Sequence, residues 1–271
     1  MKNSCCIILI LMFALAGCDS DVEQDDSLNA TLWLGTSAEY RAIVRQTYLS
    51  ALDELSGALA NTGESAVVES AAGHGGLPPA IILDIDQTLL DNSAFKSKMI
   101  HAGAEFDWNT WIAWIKGARI PALPGALEYV RAAESRGIQI YYISNRREEF
   151  RAATAKNLTY HGFPLDSLAS RLLIKNRLKG WGEDKSSRRA YVAETHRVLQ
   201  ILGDDLNDFI PAHVSLVERN ALVNRYQANW GVKWFLFPNP LYGSWERALY
   251  GYDMKLSAEE KHTLKKRHLP E

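Results

Sequence analysis

The sequence predicts an α/β fold: a mainly parallel sheet sandwiched between helical layers in three layers, with a small, mostly helical cap. Three observations lead there. Short β-branched and aliphatic runs recur at Ile81–Leu83, Ile138–Ile143, Leu172–Ile174, Arg197–Leu202 and Trp234–Phe237. Helical spacing fills most intervals between them, and strands that alternate with helices pair in parallel through right-handed crossovers. Polar residues capable of chemistry gather just after the strands, where open parallel sheets bind ligands.

Before the first strand, Thr36-Ser37-Ala38-Glu39 fits a capping box, and Tyr40, Ile43, Val44, Thr47, Tyr48, Ala51, Leu52 and Leu55 follow at helical spacing. Gly57 to Gly76 read as a loop or broken helix end. Ile81–Leu83, entered through Pro78 and Pro79, read as a strand buried on both faces. An aromatic segment follows, with Phe95, Phe106, Trp108, Trp111 and Trp114, and ends at Pro121-Ala122-Leu123-Pro124-Gly125. Its place between a strand and the next helix makes it a natural cap over a pocket. The helical spacing of Trp111, Trp114 and Ile115 also fits core packing, so most of the tryptophans are expected in the core, with one or two acting as a lid. From Ala126 the pattern is βαβ: a helix to about Arg136 stopped by Gly137, the strand ending in Ser144-Asn145-Arg146-Arg147, and a helix from Glu148 to His161 stopped by Gly162. A helix at Ser186–Thr195 precedes the strand that runs into Gly203-Asp204-Asp205-Leu206-Asn207-Asp208. Leu256 to Glu271 read as a solvated helix and tail.

At 271 residues there is room for a substantial core, and a formal net charge of -2 without a basic block gives no reason to expect a nucleic-acid polymer as partner. A small molecule is the expected ligand. His74, His101, His161, His196 and His213 show no close pairing of the kind metal sites use.

The first 17 residues read as a secretory leader: Lys2, an apolar stretch from Ile7 to Ala14, then Leu15-Ala16-Gly17-Cys18. The stretch is too short to span a bilayer as a helix. Leu-Ala-Gly-Cys resembles the bacterial lipobox, which implies cleavage before Cys18 and lipidation of its thiol, with the chain anchored in the cell envelope facing the periplasm or the surface. Asp19 resembles the inner-membrane retention signal of some bacteria, so inner and outer membrane both stay open. Cys5 and Cys6 leave with the leader, so the mature chain holds no disulfide. Residues 18–35, with Asp19, Asp21, Glu23, Asp25 and Asp26, are expected to form an acidic flexible tether. Residues 36–271 are the folded domain, with a cap drawn from about 36–76 and 91–124. A homodimer is the one oligomer considered.

The chemistry starts at Asp84 and Asp86. Two residues apart at the carboxyl end of a buried strand, they can address one ligand, and two carboxylates so close need a cation, a proton or both. Ser144 ends another strand and can hydrogen-bond a phosphate oxygen. Lys185 opens a helix and can supply positive charge to a phosphoryl group. Asp204, with Asp208 four residues on, suits a hard divalent cation. Taken singly, each fits a blander role: Ser144 a helix cap, Lys185 a solvated lysine, Asp204 and Asp208 loop and capping residues.

Their order along the chain resembles the haloacid dehalogenase superfamily. Within it, Ile82 to Thr88 with Leu90-Asp91-Asn92-Ser93, Ile143 to Arg146, Asp184-Lys185-Ser186, Gly203 to Phe209 and Phe237 to Trp245 resemble the class C nonspecific acid phosphatases, bacterial surface lipoproteins that include an outer-membrane 5′-nucleotidase. Gln87 stands where Glu is usual, and Asp205 and Asn207 where Asn and Asp are frequent. The resemblance implies a Rossmann-like sandwich and Mg²⁺-dependent hydrolysis of phosphomonoesters, with nucleoside 5′-monophosphates preferred. Asp84 would be the nucleophile that becomes an aspartyl phosphate. Asp86 would be the general acid and base, its pKa raised by the neighbouring carboxylate and the dianionic substrate. Asp84, the Asp86 carbonyl and Asp204 would bind Mg²⁺, with Asp208 behind them. Ser144, Lys185 and Thr88 would hold the phosphoryl oxygens, and Tyr242 or a cap aromatic would stack on the base. Carbon-halogen hydrolysis is disfavoured by Asp86. A phosphotransferase, or a surface lipoprotein that binds a ligand such as haem on the same scaffold, are the alternatives.

Overall fold

The computed structural model describes residues 27–69, 75–104 and 106–270. Five strands form one fully parallel sheet: β1 (Pro79–Leu83), β2 (Gln139–Arg147), β3 (Leu172–Lys175), β4 (Arg197–Gly203) and β5 (Trp234–Leu236), in the order β3-β2-β1-β4-β5. β1 is central, paired to β2 on one side and β4 on the other. Its side chains therefore enter two cores. Ile81 and Leu83 join one cluster, Ala80 and Ile82 the other, which is why the run is apolar without alternation. Strand order reverses between β1 and β4, so their carboxyl ends flank the crevice where such sheets bind ligands.

The helices are α1 (Leu28–Thr36), α2 (Ala38–Ala60), α3 (Ser93–His101), α4 (Trp108–Gly117), α5 (Ala126–Glu134), α6 (Arg151–Tyr160), α7 (Ser186–Ala193), α8 (Leu216–Arg225), α9 (Ser244–Leu249) and α10 (Ala258–Arg267). The C-terminal α10 has no buried residue, as expected of a solvated helix. Ser37 caps α2 by accepting from the Tyr40 backbone N–H at 3.1 Å, one residue later than a box starting at Thr36 requires.

Four expectations change. Residues 28–35, expected to be tether, belong to the fold: α1 buries Thr31 and Leu34 and packs on α3. The rest of the expected tether, the leader, Cys18 and His74 lie outside the described residues. α2 is a layer helix, not part of the cap. It lies against β4, β5 and α5, with Tyr48 in ring contact with Phe237 at 4.7 Å. β2 continues past Ile143 to Arg147, and its pairing with β3 slips between Ser144 and Arg147, so Asn145 and Arg146 bulge from the ladder. The cap tryptophans are not fully buried. Phe95 is buried, Trp111 and Trp114 are half-buried, with Trp114 packed against the main core cluster, and Phe106 and Trp108 are exposed. The rings pack on one another, Phe95 against Trp111 at 4.9 Å and Phe106 against Trp108 at 5.1 Å.

At the other end of the sheet, Arg197 anchors α2. Its guanidinium donates to the carbonyls of Ala58 (2.8 Å), Leu59 (3.0 Å) and Asn61 (2.7 Å), placing a cation on the otherwise unsatisfied carboxyl end of the helix. Replacing Arg197 with Met keeps the stem but strands these carbonyls. Urea unfolding should show a loss of about 2–4 kcal/mol, with turnover unchanged at temperatures where the variant stays folded.

Candidate active site

Four chain segments meet at the carboxyl edge of the sheet. After β1 the chain makes one tight turn in which the backbone N–H groups of Leu89 and Leu90 both donate to the Ile85 carbonyl at 2.9 Å, and Leu90 then bridges Ala122. This turn holds Asp84 and Asp86 at the crevice. Asp84 is 6% exposed, and Lys185, placed just before α7, reaches it with Nζ. The same ammonium donates to Asp208 Oδ1 at 2.5 Å. Asp208 sits in a one-turn helix after β4, where its Oδ2 accepts from the Asp205 N–H at 2.9 Å and Asp205 accepts from the Asn207 N–H. Gly203 makes this approach possible, since a Cβ there would collide with the Asp208 carboxylate.

Carboxylate oxygens of Asp84, Asp204 and Asp208 lie within 4.8 Å of one another, a potential metal-ligand group that contains no histidine. Asp204 Oδ2 accepts from Asn239 at 2.7 Å, while Oδ1 has no hydrogen-bond donor among the described residues. Burial, then the neighbouring carboxylates, raise the Asp204 carboxyl well above its ordinary pKa. Burial likewise pushes Asp84 up to about 7, Lys185 pulling against it and Asp208 and Asp86 adding to it. For Lys185, burial favours the neutral amine, but Asp208 and Asp84 outweigh it and the pKa is raised. Asp208, expected behind the metal ligands, stands level with them, though both its oxygens are engaged.

Asp86 differs. Burial works to raise it, but Arg146 holds it below the usual carboxylate range through a bidentate pair, Nη2 to Oδ1 at 2.7 Å and Nε to Oδ2 at 3.0 Å, joined by Asn92 Nδ2 to Oδ1 at 2.8 Å. The expected upward shift of Asp86 is reversed, because the Arg146 guanidinium of β2 pairs with both its oxygens. Sequence reasoning left Arg146 without a role. Its spacing two residues after Ser144, on one face of an extended run, was the available signal.

Ser144 is buried at the crevice, its Oγ accepting from the Arg146 N–H at 3.1 Å and its proton free to be donated. Thr88 is wholly buried: Tyr48 of α2 donates to its carbonyl at 2.5 Å, and its own Oγ1 has no partner among the described residues. Tyr242 is 39% exposed, yet its phenol oxygen turns inward beside Asn92, where burial and then Asp204, Asp86 and Asp84 raise its pKa. The residue is thus partly open to solvent while its phenol lies among the carboxylates.

Two buried arginines on α7, also unassigned from sequence, tie these segments together. Arg188 donates to the Ser144 carbonyl (2.7 Å), Asn145 Oδ1 (2.7 Å) and the Gly182 carbonyl (2.9 Å), while Arg189 donates to the carbonyls of Asn207 (2.7 Å) and Asp208 (3.0 Å). Buried in a solvated-looking Ser-Ser-Arg-Arg run, they carry no local sequence signal. Gln87 and Asp205 serve structure: Gln87 takes φ 60° and accepts from the Asn92 N–H at 2.6 Å, and Asp205 Oδ1 accepts from Ser244 Oγ at 2.5 Å.

Residues 23–245 match the family model for HAD superfamily, subfamily IIIB (acid phosphatase). Among solved structures, the class C acid phosphatase from Bacillus anthracis is similar, 36% identical with a TM-score of 0.80, covering 90% of this chain and 97% of that one. The same enzyme with tungstate bound aligns with 35% identity and a TM-score of 0.81 over the same shares. Acid phosphatase 1 of Solanum lycopersicum is 27% identical over 165 residues, 59% of this chain, and the match spans 57% of that protein's length. The parallel sheet and the acidic crevice at its carboxyl edge agree with these likenesses, and the chain belongs to the acid phosphatases of HAD subfamily IIIB, a family of phosphomonoester hydrolases.

Proposed function

We propose that the protein hydrolyses phosphomonoesters, nucleoside 5′-monophosphates by preference, with Mg²⁺ and through an aspartyl phosphate on Asp84. The observation that carries this reading is the split between two carboxylates two residues apart: Asp84 lies against Lys185 and the acidic cluster, Asp86 against Arg146 and Asn92. Environments that drive paired titratable groups apart assign them different jobs.

An all-oxygen set of Asp84, Asp204 and the Asp86 carbonyl, which accepts no hydrogen bond from a described backbone group, fits a hard divalent cation with Asp208 in support. When bound, Mg²⁺ supplies positive charge between nucleophile and phosphate. Lys185 has two of its three protons committed to Asp84 and Asp208, leaving one for a phosphoryl oxygen, and Ser144 offers a hydroxyl. The Thr88 hydroxyl is a further candidate donor. The similar Bacillus anthracis enzyme binds tungstate, a tetrahedral oxyanion like phosphate, which supports binding of such an anion by this fold. Asp84 attacks phosphorus in line, Asp86 protonates the leaving oxygen, and the ionised Asp86 then takes a proton from the water that releases phosphate. Arg146 holds Asp86 ionised, so the carboxylate must take up its proton from solvent as the dianionic ester arrives, whose negative charge favours the protonated form. Tyr242 presents its ring to the base. We further propose that Cys18 carries the lipid anchor. No described helix is long and apolar enough to cross a membrane.

Asp84→Asn should lower kcat on p-nitrophenyl phosphate by at least about 10³-fold and abolish the acid-stable phosphoenzyme trapped from labelled substrate. Turnover near wild type would sink the nucleophile assignment.

Proton and cation compete for the same carboxylates. Because the folded-state pKa of Asp84 is raised to about 7, the ion-free fold holds more protons than the unfolded chain between the ordinary carboxylate pKa and that value. That stabilising contribution is lost as pH rises through this window, and cation binding gains by the same amount. Calorimetry should find Mg²⁺ bound on the order of tenfold or more tightly at about pH 7.5 than at about pH 5, with proton release. Affinity that does not change with pH would contradict the ligand set.

Tyr242→Ala should raise KM for a nucleoside 5′-monophosphate about tenfold while leaving that for an alkyl phosphate within about twofold.

A further inference from the structure

We propose that Asn92, held by Trp114 of the cap, is a positioning residue for Asp86 that directs its Oδ2 to the leaving oxygen. This deepens the reading of Asp86 as general acid and rests on it. Asn92 occupies the N-cap position of α3, where an Asn side chain ordinarily accepts from the helix's free N–H groups. Here it makes no cap bond. The side chain, 2% exposed, is turned instead to Asp86, its Nδ2 donating to Oδ1 at 2.8 Å. A residue that gives up a local stabilising role points to a functional one.

The amide has only one workable orientation. Trp114 Nε1 donates to Asn92 Oδ1 at 2.9 Å, and an indole N–H can only donate, so the oxygen must face Trp114 and the NH₂ group must face Asp86. The Asn92 backbone is fixed as well, its N–H donating to Gln87 Oε1 at 2.6 Å. On the opposite side the Arg146 fork contacts both oxygens of Asp86. Oδ1 thus accepts two hydrogen bonds and Oδ2 one, which leaves Oδ2 the better-placed oxygen to carry a proton. In the first step a bond forms between an Asp84 oxygen and phosphorus, the ester P–O bond breaks, and the Oδ2 proton passes to the departing oxygen. The carboxylate that results keeps the same three donors.

The test separates positioning from general loosening of the fold. An alkyl phosphate needs a proton on its leaving group, whereas p-nitrophenyl phosphate expels a stable phenolate. Measured with Mg²⁺ on the intact protein, kcat/KM reports the first phosphoryl transfer alone and excludes hydrolysis of the intermediate. Asn92→Ala should lose on the order of 10- to 100-fold on an alkyl phosphate and less than about threefold on p-nitrophenyl phosphate. Trp114→Phe, which removes the orienting N–H and keeps an aromatic ring, should show the same asymmetry at smaller size and serves if Asn92→Ala does not fold. Asp86→Asn is the reference. Equal losses on both esters in the Asn92 or Trp114 variants, or no loss in either while Asp86→Asn remains selective, would overturn the positioning role. Equal losses in Asp86→Asn would overturn the acid assignment, and this proposal with it.

Discussion

The site depends on one buried ammonium. Lys185 bridges Asp84 from the end of β1 and Asp208 from the turn after β4, both buried. A buried ion pair is costly unless its geometry is good and its remaining hydrogen-bonding capacity is met, and removing one partner leaves an uncompensated charge. Here the second carboxylate is met from behind, by the Asp205 N–H on Asp208 Oδ2. That satisfaction lets three aspartates crowd within 4.8 Å of one another at a sheet edge. Without the lysine, like charges at that distance would drive one another to protonate or separate. Gly203 is the matching backbone condition, because no side chain fits where Asp208 turns in.

The same edge keeps Asp84 and Asp86 distinct although one residue separates them. Asp84 shares its surroundings with other carboxylates, and burial dominates its titration. Asp86 faces away from that cluster into a fork and an amide, and remains charged despite burial. Arg146 supplies the difference: two residues after Ser144 in β2, where the register with β3 slips, its guanidinium pairs with both oxygens of Asp86 while Lys185 takes Asp84. α7 stabilises the arrangement from below, with Arg188 and Arg189 filling the carbonyls of loops that would otherwise be buried without partners.

Much of the fold was legible from the sequence. The five apolar runs became the five strands with ends shifted by a few residues, since an all-parallel sheet buries both strand faces and writes itself as continuous apolar sequence. The layer to which a helix belongs was not legible. α2 presents an amphipathic pattern that suits a cap or a layer equally, and only contact with β4 and β5 decides. α1 was hidden by the acidic stretch before it, and helical spacing did not show that most cap tryptophans would stay half-buried or exposed.

Asp84, Asp86, Ser144, Lys185, Asp204 and Asp208 could be found by sequence because each follows a strand or opens a helix, positions that parallel topology brings to one edge whatever the loops do. Arg146 left only a spacing signal, and Asn92, Asn239 and the α7 arginines left none. Their functions arise from which way a side chain turns after the backbone bulges, caps or buries it, and a residue's type does not record that. The sequence by itself determined which acidic groups stand at the crevice. Only the tertiary structure decided which partner each one meets, because pairings across as many as 101 residues of chain depend on how the segments fold together.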